Sequence, residues 1–219
     1  MFAQNLCFMR TRIKICGLTR EADVEAAIEA GADAIGFVLY PASPRYVTPR
    51  RAAELAKRIP PFVDIVGLFV NEASEVVRAV CSELPINLLQ FHGDEDAAYC
   101  RQFARPWLRA ARVRPGLDLV EFARSYHDAR GLLLDAFVAG YGGGGHVFDW
   151  TLIPPDLPGY LVLSGGLHDA NVGDAIRRVR PAAVDVSSGV EVSKGIKDHD
   201  KMRAFVAAVR AADAAGGEG

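Results

Sequence analysis

The sequence lacks a surplus of charge of either sign, and it lacks long hydrophobic runs. Its 219 residues include 25 Lys and Arg against 27 Asp and Glu, a formal net charge of −2. Electrostatic binding to nucleic acid or to an acidic membrane surface needs a basic patch, so we expect neither partner. No apolar run approaches the ~20 residues that span a bilayer. The N-terminus lacks the basic start and cleavage site of a signal peptide.

Cysteine is scarce, and its spacing excludes two kinds of site. The four cysteines stand at positions 7, 16, 81 and 100, with no CxxC pair and no histidine cluster beside them. Zinc sites and disulfide frameworks depend on such groupings, so we expect no metal and no disulfide. Free thiols persist in a reducing compartment, so the expected location is cytoplasmic.

One pattern repeats along the chain: a short apolar run, a turn, and an amphipathic segment rich in Ala, Arg and Glu. Such alternation predicts βαβ units and a parallel sheet. The predicted strands are 12–16, 34–40, 63–70, 87–91, 107–113, 131–135, 160–163 and 183–186. The predicted helices are 21–30, 49–59, 72–83, 94–104, 118–127, 149–153, 168–179 and 198–212.

Eight such units in one domain favour a (β/α)8 TIM barrel at residues 12–212, preceded by an extension at 1–11 and followed by a flexible tail at 213–219. An open doubly wound sheet is the alternative, but it would have GxGxxG after the first strand. Thr48, Asn71 and Asp198 are predicted helix N-caps, and Gly31 is a predicted C-cap. In a barrel of this kind the functional residues lie at the C-terminal ends of the strands.

The first strand, RIKIC, ends in Cys16. Residues two apart share one face of a strand, so Lys14 and Cys16 both point into the barrel. A lysine there needs a partner, and Asp185 is the natural one because strands one and eight are neighbours in a closed barrel. A nearby ammonium lowers the pKa of a thiol. Inert packing of Cys16 and a reactive Cys16 therefore remain equal alternatives on the residues alone.

Other strand ends and loops carry polar side chains. Asp135 follows three leucines and is either a turn aspartate or a carboxyl that gives up a proton. The run Gly142–Gly145 after it is predicted to be a lid or a place where ligand meets backbone. Arg45, between two prolines, is either solvated or holds a carboxylate. Gln90 and His92 stand at the end of the fourth strand, and His92 is either a hydrogen-bonded histidine near the rim or a ligand contact.

Two loops have the composition of a phosphate site. Gly165 and Gly166 follow the seventh strand, and Ser187, Ser188 and Gly189 follow the eighth. Loops after these two strands, with a helix N-terminus, form the common phosphate site of this fold. Ordinary turn chemistry explains either loop alone, but their joint placement favours phosphate.

In order along the chain, these stretches together resemble the phosphoribosylanthranilate isomerase family of the tryptophan pathway. The matching motifs are KICGLT, GFVLYPASPRYV, GLFVN, LLQFHGDE, LLLDA, GGGGHVFDW, LSGGL, DVSSGVE and GIKD. The resemblance implies a (β/α)8 barrel and an Amadori rearrangement of an aminoaldose to an aminoketose, with no metal or organic cofactor. It also implies that Cys16 is the general base and Asp135 the general acid, and that Arg45 holds the anthranilate carboxylate.

The resemblance further implies that the SGGL and SSG loops bind the ribose phosphate, and it suggests substrate contacts for Lys14, Gln90, His92 and Asp185. Three alternatives remain: another phosphosugar barrel, a broader isomerase with a carboxylate where Cys16 stands, and a non-catalytic metabolite-binding protein. The first would use lysine and glutamate or metal ligands at the strand ends, and the second would lack the thiol. The expected assembly is a monomer or a homodimer.

Overall fold

The architecture comes from a computed structural model that describes residues 10–137 and 147–216. Eight parallel strands close into a barrel, in which β8 pairs with β1. The strands are β1 Arg12–Cys16, β2 Ala34–Val38, β3 Asp64–Phe69, β4 Leu88–Phe91, β5 Trp107–Val113, β6 Gly131–Ala136, β7 Leu161–Leu163 and β8 Ala183–Val186. The predicted (β/α)8 TIM barrel is confirmed.

Helices connect most of the strands. They are α1 Glu21–Ala30, α2 Pro49–Ala56, α3 Ser74–Glu83, α4 Ala97–Arg101, α5 Leu119–Ser125, α6 Asp169–Val179 and α7 His199–Gly216. The helix predicted at 149–153 is a single 3-10 turn, Trp150–Leu152. A small antiparallel hairpin, β9 Glu191–Ser193 and β10 Ile196–Lys197, follows β8 and was not predicted. In the part of the chain that the structure describes, no helix is long and apolar enough to cross a membrane.

Most of the predicted helix signals are present. The Thr48 hydroxyl accepts a hydrogen bond in the first turn of α2, Gly31 ends α1 with a φ of 100°, and Asp198 accepts two backbone N–H bonds at the start of α7. The prediction for Asn71 was wrong, because α3 begins later, at Ser74, after a residue without a side-chain cap. The Asn71 amide instead accepts a hydrogen bond from the N–H of Asp94, 2.6 Å away.

The chain ends pack differently from the prediction. Helix α7 continues to Gly216, and the backbone N–H and hydroxyl of Thr11 donate to the Asp213 carboxylate at 2.8 and 2.6 Å. The helix predicted at 198–212 thus continues to Gly216, and these bonds tie its end to the start of β1. The predicted domain boundaries stay a prediction. Residues 1–9, the run Gly142–Gly145 and residues 217–219 lie outside the described residues, so the predictions made for them stay predictions.

The barrel has two kinds of interior. Ile13 and Ile15 of β1 point outward into the core between strands and helices, and Cys16 points inward, as the alternation predicts. Toward the N-terminal ends of the strands, five buried side chains fill the interior, and we call them the apolar plug. The apolar plug consists of Leu108, Ala110, Leu133, Val162 and Ala183. Above the plug the barrel opens into a cavity.

Candidate active site

A cavity of about 480 Å³ lies at the C-terminal ends of the strands. It brings together ten of the twelve residues that the sequence analysis selected. These are Cys16, Arg45, Gln90, His92, Asp135, Gly165, Gly166, Asp185, Ser187 and Ser188. The other two, Lys14 and Gly189, are not part of its lining. Ser164 and Lys194 also line the cavity and were missed.

Lys14 and Asp185 form the predicted ion pair. They lie opposite each other in the β1–β8 register, and Nζ is 2.7 Å from Oδ1 with both side chains buried. The Ser164 hydroxyl donates to the other Asp185 oxygen at 3.3 Å. Burial lowers the pKa of Lys14, but the attraction of Asp185 and Cys16 outweighs it, so the pKa is raised. The Lys14 ammonium is held inside the barrel by Asp185, and its expected substrate contact stays a prediction.

The Cys16 thiol faces the cavity but is 5% exposed as a residue. Burial raises its pKa, and this effect exceeds the opposing attraction of Lys14 and Lys197. The predicted effect of a nearby ammonium is present, because Lys14 lowers the pKa of the thiol, but desolvation is the larger effect and the net direction is upward. Gly36 lies opposite Cys16 on β2, and a Cβ there would stand 2.7 Å from the sulfur. The glycine in GFVLY thus makes room for the thiol.

Asp135 is held by a chain of side chains from β4. Gln90 Nε2 lies 3.0 Å from His92 Nδ1, and His92 Nε2 lies 3.2 Å from Asp135 Oδ2. With the amide donating to Nδ1, the ring proton is on Nε2 and donates to the carboxylate. The N–H of Ala136 donates to the other carboxylate oxygen at 2.9 Å. Gln90 and His92 therefore fix the orientation of Asp135 in the cavity wall.

Arg45 is buried and makes a bidentate ion pair that the sequence analysis missed. Its Nε and Nη2 donate to the two Glu191 oxygens at 2.8 and 2.7 Å. Lys197 of β10 donates to the same carboxylate at 3.0 Å. The sequence signal for this ion pair was the presence of Glu191 and Lys197 in the DVSSGVE and GIKD motifs. The contacts among Arg45, Glu191 and Lys197 depend on the hairpin, which was not predicted.

The two glycine-containing loops carry free backbone donors. Gly165 and Gly166 have φ values of 81° and 65°, which a side chain would strain. A Cβ on Gly189 would lie 1.9 Å from the Leu167 carbonyl oxygen, so this glycine lets the two loops approach. Its predicted phosphate contact, which would be made by the backbone N–H, stays a prediction. Within the described ranges, the N–H groups of these loops that donate no hydrogen bond include those of Gly166, Leu167, Ser188 and Gly189.

The Ser187 hydroxyl makes a hydrogen bond within the protein. It donates to the carbonyl oxygen of Cys16 at 3.0 Å and so joins the β8 loop to the end of β1. The predicted contact of Ser187 with phosphate stays a prediction. Among residues 10–137 and 147–216, no three His, Cys, Asp or Glu side chains are grouped as a metal site.

A (β/α)8 barrel with titratable side chains and two donor-rich loops around one cavity at its C-terminal mouth belongs to the enzymatic barrels. A family model described as N-(5′-phosphoribosyl)anthranilate (PRA) isomerase matches residues 13–208. The chain therefore belongs to the N-(5′-phosphoribosyl)anthranilate isomerase family, as its motifs suggest.

Individual relatives agree with the family match. The chain is 82% identical over 205 residues to N-(5′-phosphoribosyl)anthranilate isomerase from Dechloromonas aromatica, covering 94% of this chain and 99% of the relative. Among solved structures it is similar to a phosphoribosyl anthranilate isomerase in complex with reduced 1-(o-carboxyphenylamino)-1-deoxyribulose 5-phosphate. That protein is 43% identical with a TM-score of 0.83, over 92% of this chain and 99% of the other. It is also similar to monomers generated from the dimeric enzyme of Thermotoga maritima, at 41% identity and a TM-score of 0.82, with 92% and 99% covered.

Proposed function

We propose that this chain converts N-(5′-phosphoribosyl)anthranilate into 1-(2-carboxyphenylamino)-1-deoxyribulose 5-phosphate, a step of tryptophan biosynthesis. Cys16 is the general base and Asp135 the general acid. The observation that carries the proposal is that these two side chains, from β1 and β6, face one cavity from different sides of the barrel. Family membership supports the choice of substrate.

The two groups suffice for an Amadori rearrangement. Asp135 donates a proton to the furanose ring oxygen as the C1′–O bond breaks, and the nitrogen lone pair forms an iminium. The Cys16 thiolate removes the C2′ proton, and the C–H electron pair forms an enolamine. The enol gains a proton at C1′ and loses its hydroxyl proton to become the ketone. Cys16 then returns its proton to Asp135 through solvent.

The iminium helps the base. Burial raises the pKa of Cys16 in the free protein, so part of the cost of forming a thiolate must be offset when substrate is bound. A positive charge within a few ångströms favours the charged form of a thiol. Ring opening creates such a charge on the substrate next to the C2′ proton, so the thiolate is stabilised at the step that uses it.

The remaining parts of the cavity suit the two ends of the substrate. The N–H groups of the β7 and β8 loops, next to the start of α6, are donors for the ribose phosphate. Arg45 lines the same cavity, and its Nη1 makes no hydrogen bond to any residue that the structure describes. Since Glu191 occupies the other two nitrogens, Nη1 is the donor left for the anthranilate carboxylate.

A direct assay follows the loss of phosphoribosylanthranilate fluorescence. Cys16→Ala and Asp135→Asn are each expected to lower kcat by about 10²- to 10⁴-fold, because each removes one proton-transfer group. Both should still bind the reduced product analogue. Cys81→Ala, a thiol of α3 outside the cavity, is the matched control and should keep full turnover. Near-native turnover by either site variant would remove that residue from the mechanism.

The same assay, run on the corresponding aminoaldose of histidine biosynthesis, separates the alternatives. We expect turnover of phosphoribosylanthranilate alone, because a thiol stands where the broader isomerase has a carboxylate. Turnover of both substrates would favour the broader isomerase. Binding of phosphoribosylanthranilate without turnover would favour a non-catalytic metabolite-binding protein.

A second copy of the chain is the proposed partner at the N-terminal end of the barrel. Phe62 follows two prolines, has a φ of 72° and is fully exposed. It borders a cavity of about 480 Å³ whose lining includes Val66, Leu88 and Leu108. Arg12, Asp33 and Asp64 also line this cavity, so its apolar part has a polar surround. An exposed aromatic beside such a cavity is typical of a protein interface. The dimeric relative from Thermotoga maritima supports an identical partner.

Light scattering after size exclusion tests this association. The wild type is expected to be a dimer, and Phe62→Ser is expected to shift it toward monomer. Val192→Ser, which changes an exposed apolar side chain on the hairpin β9, is the control and should leave the mass unchanged. A wild type that stays monomeric at every concentration would contradict the proposal.

The proposed compartment is the cytoplasm. The described cysteines, Cys16, Cys81 and Cys100, are all free. A base that works as a thiolate would be lost to oxidation or disulfide exchange in an oxidising compartment.

A further inference from the structure

Lys197 is a buried cation that the proposed reaction leaves without a role. Its side chain has no exposed area, and Nζ donates to the Glu191 carboxylate and to the Ser187 carbonyl oxygen, both at 3.0 Å. It also lies 3.3 Å from the Ser187 hydroxyl, which in turn donates to the carbonyl of Cys16. A fully buried lysine is costly, so its retention points to a use.

The hairpin β9–β10 holds the Lys197 ammonium close to the end of β1. Gly195 turns the chain with a φ of 82°, and its carbonyl accepts the Thr19 hydroxyl at 2.6 Å. The backbone N–H of Lys197 donates to the fully buried Asp23 at 3.2 Å. The hairpin is thus fastened to the loop and helix that follow β1, the strand that ends in Cys16.

The charges around the thiol do not balance. Five charged side chains either interact with Cys16 directly or form an ion pair with one that does. They are Lys14 of β1, Arg45 of the loop after β2, Asp185 of β8, Glu191 of β9 and Lys197 of β10. Three are cations and two are anions, so the cluster carries one unpaired positive charge. A Cys16 thiolate would bring the cluster to neutrality.

We propose that Lys197 is a positioning residue that supplies this surplus charge to Cys16 and, through Ser187 and Glu191, fixes the phosphate loop and Arg45. The inference rests on the proposed function, because Cys16 as base, Arg45 as carboxylate site and the β8 loop as phosphate site are all assigned there. Lys197 would hold all three in place. Two observations are consistent with it: Lys197 lowers the pKa of Cys16, and Cys16 in turn raises the pKa of Lys197, although burial keeps the latter lowered overall.

The test measures the reactivity of Cys16 rather than turnover. The rate of alkylation of Cys16 by iodoacetamide is followed by peptide mass spectrometry across a range of pH. In Lys197→Met the pH midpoint is expected to rise, with about three- to tenfold slower alkylation at neutral pH. KM for the substrate is expected to rise as well, because Arg45 and Ser187 lose their anchor. A merely structural lysine would leave the midpoint unchanged.

Two further variants complete the design. Lys201→Met is the matched control. Among the residues that the structure describes, the Lys201 ammonium donates only to the Glu191 backbone carbonyl oxygen, at 3.0 Å, so this variant should follow the wild-type profile. Lys197→Gln keeps an N–H donor but removes the charge, so it separates the two parts of the proposal: the midpoint should rise, with a smaller change in KM. Folding is expected in both Lys197 variants, because the Arg45–Glu191 pair remains neutral without Lys197.

The outcomes separate this inference from the proposed function. A wild type without isomerase activity would defeat the proposed function and leave the alkylation result valid. An active wild type with unchanged Cys16 profiles in the Lys197 variants would overturn the inference alone. Failure of both variants to fold would assign Lys197 a structural role and would also overturn it.

Discussion

The interior of the barrel is apolar toward its N-terminal end and polar toward its C-terminal end. At the N-terminal end, the apolar plug fills the interior with side chains that carry no polar atoms. At the C-terminal end, a cavity is bordered by buried polar groups that hydrogen bonds join to their partners. Asp185 pairs with Lys14, which lies outside the cavity lining, Arg45 and Lys197 pair with Glu191, and His92 contacts Asp135. The N-terminal end is therefore suited to stabilise the fold, and the C-terminal end to keep charged groups buried around the cavity.

This difference predicts a division of labour between the ends. Burial of apolar groups stabilises a fold directly, whereas a buried ion pair offsets its own desolvation at best. Substitutions in the plug should therefore change stability without changing the chemistry of the folded protein. Substitutions among the buried charges should change both, because each charge that loses its partner remains buried.

Lys14→Met gives the largest expected change in stability. It leaves the Asp185 carboxylate buried without its ammonium, and removing one partner of a buried pair typically costs ~3–5 kcal/mol. The free energy of unfolding, measured in urea, should fall by that amount. Cys16 should also alkylate more slowly, because Lys14 lowers its pKa. Lys57→Met, an exposed lysine after α2, is the control. Equal stabilities in the two variants would contradict the division of labour.

Leu133→Ala tests the apolar plug. This side chain of β6 is fully buried within the apolar plug, and a cavity left in a core costs about 2–5 kcal/mol. Urea unfolding should show this loss. The folded variant should keep its kcat within about twofold, since the acid and base are unmoved. A loss of kcat comparable to that of Asp135→Asn would show that the plug takes part in the chemistry.

The sequence analysis was most successful where the barrel topology alone sets the neighbours. Lys14 and Asp185 were paired correctly because closure makes strands one and eight adjacent. Cys16 and Asp135 were assigned to one cavity because parallel strands end at the same mouth. Both predictions need only the count of strands and the two-residue alternation of side chains.

Residues whose partners depend on a loop path were missed. Glu191 and Lys197 meet Arg45 because the hairpin folds back over the mouth, and no local pattern predicts that path. The raised pKa of Cys16 was also missed, because desolvation depends on how completely neighbours such as Val38 and Leu68 cover the thiol. Asn71 was misread as a cap because its amide serves a loop contact with Asp94 instead.

Asp185→Asn sharpens the comparison within the polar end. Asp185 raises the pKa of the Cys16 thiol, although less than burial does. Removing its charge should therefore speed alkylation of Cys16 at neutral pH, opposite in sign to Lys14→Met and by about three- to tenfold. Mass spectrometry of the Cys16 peptide measures the rate. A slower reaction than in the wild type would contradict the assigned charges.

Asp33→Asn gives the smallest expected effect, at the N-terminal end. Burial alone would raise the pKa of Asp33, but Arg10, the N–H of Ile13 and Arg12 lower it overall. A carboxylate with a lowered pKa stabilises the fold above its unfolded-state pKa of about 4, and that contribution is lost as the pH falls through the folded value. The variant should be less stable by about 1 kcal/mol at pH 7, a modest figure because both arginines are half exposed. Urea unfolding should show the difference shrink as the pH falls below the unfolded-state pKa of about 4. A difference that stays constant with pH would contradict the assignment.

The most direct test of the account is a single turnover of phosphoribosylanthranilate deuterated at C2′. The account predicts that the wild type transfers this deuterium with a primary isotope effect, since Cys16 breaks that bond, and that Cys16→Ala forms no product on the same timescale. Product formation by Cys16→Ala at a rate near that of the wild type would contradict the assignment of the thiol as the base.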